Sequence, residues 1–137
     1  MAAPPDLLQR VPLFADLDRR ELQSIASSFK PRDFDAGAPV ATEGHAAAGF
    51  FVVESGEARV TVRGEPRGRL GPGDYWGEIA LIDQGARSAT ITAETPMRCY
   101  GMTFWDFRPL VESNASIAWK LLQATAKKLR AAEQREA

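Results

Sequence analysis

Gly77-Glu78-Ile79-Ala80-Leu81 and Arg87-Ser88-Ala89-Thr90 bring into one short stretch the groups needed to hold a small organic phosphate. Gly77 lets the backbone approach a ligand with no Cβ in the way. Glu78 through Leu81 are good helix formers, so a short helix is expected to begin there. Its free N–H groups and partial positive charge would face whatever sits at its N-terminus. Arg87 can meet two phosphate oxygens through parallel, charge-assisted hydrogen bonds. Ser88 adds a hydroxyl donor and Ala89 leaves room. Glu78 is the odd member, because a carboxylate repels a phosphate unless hydroxyls donate to it. A ribose supplies such hydroxyls, and the set as a whole points to a sugar phosphate or a nucleotide.

The elements that must position these groups are legible on either side. Asp18 followed by Glu21 is an acidic variant of the capping box, and Leu22, Ile25, Ala26 and Phe29 fall at helical spacing. Pro31 is expected to end that helix. Over residues 32–104 the pattern changes to short strands separated by glycine and proline turns. Residues 59–63 and 89–93 alternate as half-buried strands do, and residues 64–68 and 71–74 read as turns. Many short strands at regular spacing indicate a jelly roll or a related sandwich. Helical periodicity returns at residues 105–135, with Thr103 or Asp106 as cap of a first helix and Ser113 or Asn114 of a longer second. On that last helix Ile117, Ala118, Leu121, Leu122 and Leu129 share a face. Lys128 lies on it too, whereas Lys120 and Lys127 are expected to point to solvent. A lysine on an apolar stripe needs a partner or a route to water.

The glycine turn Gly71-Pro72-Gly73-Asp74-Tyr75-Trp76, the run Gly77–Leu81 and the run Arg87-Ser88-Ala89-Thr90 together resemble the phosphate-binding cassette of cyclic nucleotide-binding domains. That family includes the sensory domains of the catabolite activator protein, protein kinase A regulatory subunits and cyclic-nucleotide-gated channels. Val11-Pro12-Leu13-Phe14 with Glu21-Leu22 resembles the family's opening helix. Glu43-Gly44, Phe50-Phe51-Val52-Val53 and Gly56-Glu57 resemble its early strands. The resemblance covers nearly the whole chain and implies one domain over residues 1–137. Its parts would be an N-terminal helical segment (1–31), a mainly β, jelly-roll-type β-roll (32–104) with its cassette at 77–90, and C-terminal helices (105–135).

The same resemblance implies a non-catalytic sensor. Its ligand would be cAMP, with cGMP as the alternative, held by Gly77, Glu78, the N–H groups of Ile79, Ala80 and Leu81, and Arg87, Ser88 and Ala89. Val62 would serve as a base-side wall and Lys128 as a lid residue on the last helix, which closes over the base in family members. Two departures stand out. Gly85-Ala86 precedes the arginine where a proline is common, so the empty cassette loop should be more flexible. Ser88 stands where threonine accompanies cGMP and alanine cAMP in eukaryotic members, and it resembles bacterial members that bind cAMP.

The bulk numbers set limits. With 137 residues the chain can bury a core without disulfides or metals. Its formal charge of −1 argues against direct nucleic-acid binding. The single cysteine, Cys99, fits a reducing compartment and reads as a core residue. With no apolar leader and no membrane span, a cytoplasmic location is expected. The only histidine, His45, reads as a turn residue and cannot build the multi-histidine metal site of a cupin-like enzyme. Trp76 and Trp105 read as core, and Trp119, off the centre of its stripe, as partly exposed and available to a homodimer. The output would pass to an unidentified effector protein or domain. The alternative is a β-roll that has lost its ligand and serves as an interaction or dimerisation module.

Overall fold

The capping box forms. The Asp18 carboxylate accepts from the Glu21 N–H at 2.8 Å, and the Glu21 carboxylate from the Asp18 N–H at 3.1 Å. It starts α2 (Arg19–Ala26), which follows α1 (Pro5–Gln9) and a 3-10 turn at Pro12–Phe14. The computed structural model describes residues 2–46 and 49–136. The helix ends at Ala26, earlier than the expected stop at Pro31. Phe29 belongs to the apolar pattern for a tertiary reason: it lies beyond the helix, fully buried, with its ring edge-on to Phe14.

Eight strands follow: β1 (Lys30–Phe34), β2 (Pro39–Ala41), β3 (Phe50–Ser55), β4 (Ala58–Val62), β5 (Glu65–Leu70), β6 (Tyr75–Trp76), β7 (Thr90–Ala93) and β8 (Met97–Met102). The β region therefore opens at Lys30, with Pro31 inside the first strand rather than before it. They form two four-stranded antiparallel sheets, ordered β1-β8-β3-β6 and β2-β7-β4-β5. Pro31, Pro39 and Pro66 all fall on edge strands, where a missing N–H breaks no interior ladder. Three helices complete the fold: α3 (Glu78–Asp83) between β6 and β7, then α4 (Phe104–Ser113) and α5 (Ala115–Glu136). This is the jelly-roll architecture with flanking helices.

Strand β3 explains how two layers pack on one sheet. Phe50 and Val52 point to the helices, joining Leu8, Phe14, Phe29, Tyr100, Ile117 and Leu121 in one core. Phe51 and Val53 point the other way, joining Trp76, Ile91, Ala93 and Cys99 between the sheets. A strand buried on both faces is continuously apolar rather than alternating, which is the reason for the Phe50-Phe51-Val52-Val53 run. Phe51 stacks on Trp76 with ring centroids 4.8 Å apart.

Three expectations about side chains need correction. Trp105 is not core; it is 80% exposed on the outer face of α4. Lys120 does not stand free in solvent, since its ammonium lies 2.7 Å from Asp16 and donates to the Pro12 carbonyl. The apolar face of α5 is only partly used: Ile117 and Leu121 are buried, but Leu122 and Leu129 are exposed.

Candidate functional site

The chain leaves β6 through Gly77, whose φ of +98° is a left-handed conformation that L side chains rarely adopt. A Cβ there would strike the Gly49 carbonyl and come within 2.8 Å of the Arg87 guanidinium. Glycine is thus required twice over, by backbone angle and by space. It sets the first turn of α3 against Arg87. The Leu81 N–H closes that turn on the Gly77 carbonyl at 3.4 Å.

Arg87 is buried, 8% exposed. Its backbone is fixed by hydrogen bonds from the Gly44 N–H at 3.1 Å and to the His45 carbonyl at 2.8 Å, beside a bridge between Ala46 and Ala86. Its side chain makes only one long bond to protein, 3.5 Å from Nη1 to the Gly49 carbonyl, among the described residues. Burial pushes its pKa below the usual arginine value; Glu78 works against that shift and Arg32 adds to it. A desolvated guanidinium with most of its donors unspent is a ready receptor for an anion.

Glu78 is more deeply placed, at 3% exposed. Its Oε2 accepts from the Lys128 ammonium of α5 at 2.7 Å. Lys128 also lies over the Tyr75 ring, 5.9 Å from its centre. Tyr75 has its pKa pushed up to about 12 by burial, with Glu78 and then Asp74 adding to it.

These groups share one cavity of about 790 Å³, within the range of roughly 300–1,000 Å³ usual for small-molecule sites. It is bounded by the β-roll on one side and by Thr125, Lys128, Leu129 and Ala132 of α5 on the other. Its charge is lopsided. Arg63, Arg67, Arg69, Arg87, Lys128 and Arg135 line it, in a chain of net charge −1, and Glu78 is the one acidic residue in its lining among the described residues. Arg69 is paired outside it with Glu94 at 2.8 Å, and Lys128 with Glu78. A concave site so biased concentrates anions.

The sequence profile of the cyclic nucleotide-binding domain matches residues 31–114, more than half of the chain. The chain belongs to that family. It is 41% identical over 93 residues to a cAMP-dependent protein kinase regulatory subunit of Yarrowia lipolytica, covering 66% of this chain and 25% of the relative. A regulatory subunit of the same description from Schizosaccharomyces pombe is 37% identical over 93 residues. The chain spans about a quarter of the length of these curated relatives. Among solved structures it resembles PKAR CBD2 bound to Sp-2Cl-cAMPS, with a TM-score of 0.82, 25% identity, and 94% of this chain and 88% of that one covered. The catabolite activator protein of Thermus thermophilus gives 0.79 at 29% identity, covering 90% and 61%.

The cavity gathers most of the residues singled out from sequence. Gly77, Glu78, Ile79, Ala80, Arg87, Ser88, Ala89, Val62 and Lys128 all line the cavity. Leu81 does not: its side chain packs into the helical core, and its N–H is engaged by Gly77. Lys128 reaches the cavity at the carboxylate of Glu78. Sequence reading missed the rest of the apolar wall, Ala41, Val60, Leu70, Trp76 and Ile91, and the arginines of β5 and α5. Val60 was recoverable, since alternation along β4 puts it on the same side as Val62. Nothing local marks Arg67 or Arg135, because only the closure of β5 and α5 around one space makes them neighbours of Arg87. Among the described residues no group of three or more His, Cys, Asp or Glu could hold a metal, and no helix is long and apolar enough to cross a membrane.

Proposed function

We propose that this domain is a non-catalytic sensor that binds a cyclic nucleotide, cAMP in preference to cGMP, and signals through α5. The observation that carries the reading is the buried Arg87 guanidinium, with one long bond to protein among the described residues, beside Gly77 and the first turn of α3. The cyclic phosphate lies against the N–H groups of Ile79 and Ala80, with Arg87 and Ser88 closing on its oxygens. Glu78 accepts from the ribose 2′-hydroxyl through the oxygen that Lys128 does not occupy. A 3′,5′-cyclic monophosphate leaves that hydroxyl free, which suits it to this pair. Val60, Val62 and Ile91 form an apolar wall for the base.

The relatives support this choice of ligand, since their names describe cAMP-dependent regulation of a protein kinase. The effector is therefore a separate protein or domain of that kind, biased by the position of α5. Ligand-dependent bias requires a contact made in one state and not the other. Thr125, Lys128 and Leu129 of α5 are placed to supply it, as they line the cavity that a nucleotide would fill.

The test is calorimetric titration of folded protein, first freed of carried-over ligand, with cAMP and with cGMP. Saturable binding at micromolar concentration or tighter, with cAMP ahead, is expected. No heat with either nucleotide would overturn the reading in favour of a β-roll that serves as an interaction module.

A further inference from the structure

Glu43, in the loop after β2, stands outside the cavity lining, yet its carboxylate holds a residue that forms it. Both its oxygens accept from the Arg63 N–H, at 2.9 and 3.0 Å. It also exchanges two bonds with Thr90. The Glu43 N–H donates to the Thr90 hydroxyl at 3.1 Å, and that hydroxyl donates to Glu43 Oε1 at 3.2 Å. The backbone on either side is fixed to the cassette, since Gly44 donates to the Arg87 carbonyl and His45 accepts from the Arg87 N–H.

Arg63 shows why such a brace is needed. With Gly64 it makes the two-residue turn of the β4–β5 hairpin, between the paired Val62 and Glu65. The turn that suits a hairpin's twist needs positive φ at both positions, so Asn, Asp and Gly dominate there. Here φ is +52° at Arg63 and +80° at Gly64. An arginine in that conformation is uncommon and persists where its surroundings over-determine it. Its N–H has no partner within its own hairpin, and Glu43 supplies one. The Arg63 side chain lines the nucleotide cavity. None of the ion pairs among the described residues takes its guanidinium. We propose that Glu43 is a positioning residue for the nucleotide site: it sets the Arg63 guanidinium against the bound nucleotide, at a fixed place relative to Arg87. Glycine or asparagine would make the turn unaided but bring no cation; arginine brings the cation and needs the carboxylate. The inference rests on the proposed function and extends it to a residue that touches no ligand.

Calorimetric titration with cAMP of the parent, both single variants and the double variant separates positioning from bracing. Arg63→Ala should weaken binding by about three- to fivefold, the upper end for an exposed charged contact, and Glu43→Ala by about as much. Adding Glu43→Ala to Arg63→Ala should then cost little further affinity, because no guanidinium is left to place. Tm should fall equally when Glu43→Ala enters either background, since the turn loses its acceptor in both. Glu43→Gln should restore most of the affinity, as its amide oxygen still accepts from the Arg63 N–H and the Thr90 hydroxyl. If Glu43→Ala does not fold, Glu43→Asp, one methylene short of both partners, takes its place. Affinity losses that simply add would make Glu43 a brace of the fold alone and overturn the inference, as would a Glu43→Ala protein that binds as tightly as the parent. Either result leaves the proposed function standing. A parent that binds neither cyclic nucleotide overturns that function, and this inference falls with it.

Discussion

The Lys128 ammonium lies 2.7 Å from the Glu78 carboxylate, tying the far half of α5 to the first turn of the cassette helix. The carboxylate side chain is 4% exposed and the lysine 52%. Lys128→Met would leave a buried charge without its counterion. Breaking a fully buried pair costs about 3–5 kcal/mol and an exposed one at most about 1. This half-exposed case should lie between them, seen as a fall of several degrees in Tm. Lys128→Arg should recover most of the loss. An unchanged Tm for Lys128→Met would show the contact to be energetically idle.

Arg87 should carry the phosphate. Arg87→Ala should weaken cAMP binding more than tenfold, since a hydrogen bond to a charged group is worth roughly 1.5–3 kcal/mol and a desolvated pair more. Arg87→Lys should recover only part, because an ammonium cannot reproduce the guanidinium fork. Equal affinity in parent and Arg87→Ala, measured by calorimetry on folded proteins, would remove Arg87 from the phosphate site.

Glu78 should read the sugar hydroxyl. The parent is expected to bind cAMP about tenfold more tightly than 2′-deoxy-cAMP, the size of one charge-assisted hydrogen bond. Glu78→Gln should shrink that ratio more than it changes the affinity for the deoxy ligand. A ratio that survives the substitution would mean that another group accepts the hydroxyl.

Alkaline pH should unfold the domain through buried acids. The Tyr75 phenol is raised from 10.0 to about 12, burial first among its causes. The Cys99 thiol is raised from 9.0 to about 12, again chiefly by burial, with Asp33 adding to it and Arg32 opposing. Both groups hold their protons more tightly folded than unfolded, so above the unfolded values the unfolded chain sheds them first. Their contribution is whole below about pH 9 and declines as pH climbs through 9.0–12. Urea midpoints should fall over that window, less steeply in Tyr75→Phe. A midpoint that stays level there would contradict the burial of these groups.

The linear chain fixes what depends on neighbours in sequence. The Asp18–Glu21 capping box and the alternation along β4 and β7 follow from local sterics and periodicity. Together with the Gly77–Leu81 and Arg87–Thr90 runs they point to the family and to the polar centre of the cavity, Glu78, Arg87 and Ser88, while most of its lining comes from residues that they do not mark. The tertiary structure decides what depends on which surfaces meet. Trp105 and Trp76 are chemically alike, yet one faces solvent and the other stacks on Phe51, because only β6 enters the space between the sheets. Lys120 and Lys128 both leave α5 for partners, Asp16 and Glu78, that lie at remote points of the chain. Leu122 and Leu129 share the apolar stripe with Leu121 in sequence, but a helix lying on a roll covers only part of its circumference. Periodicity gives the stripe; the line of contact chooses which residues within it are buried and which stay exposed.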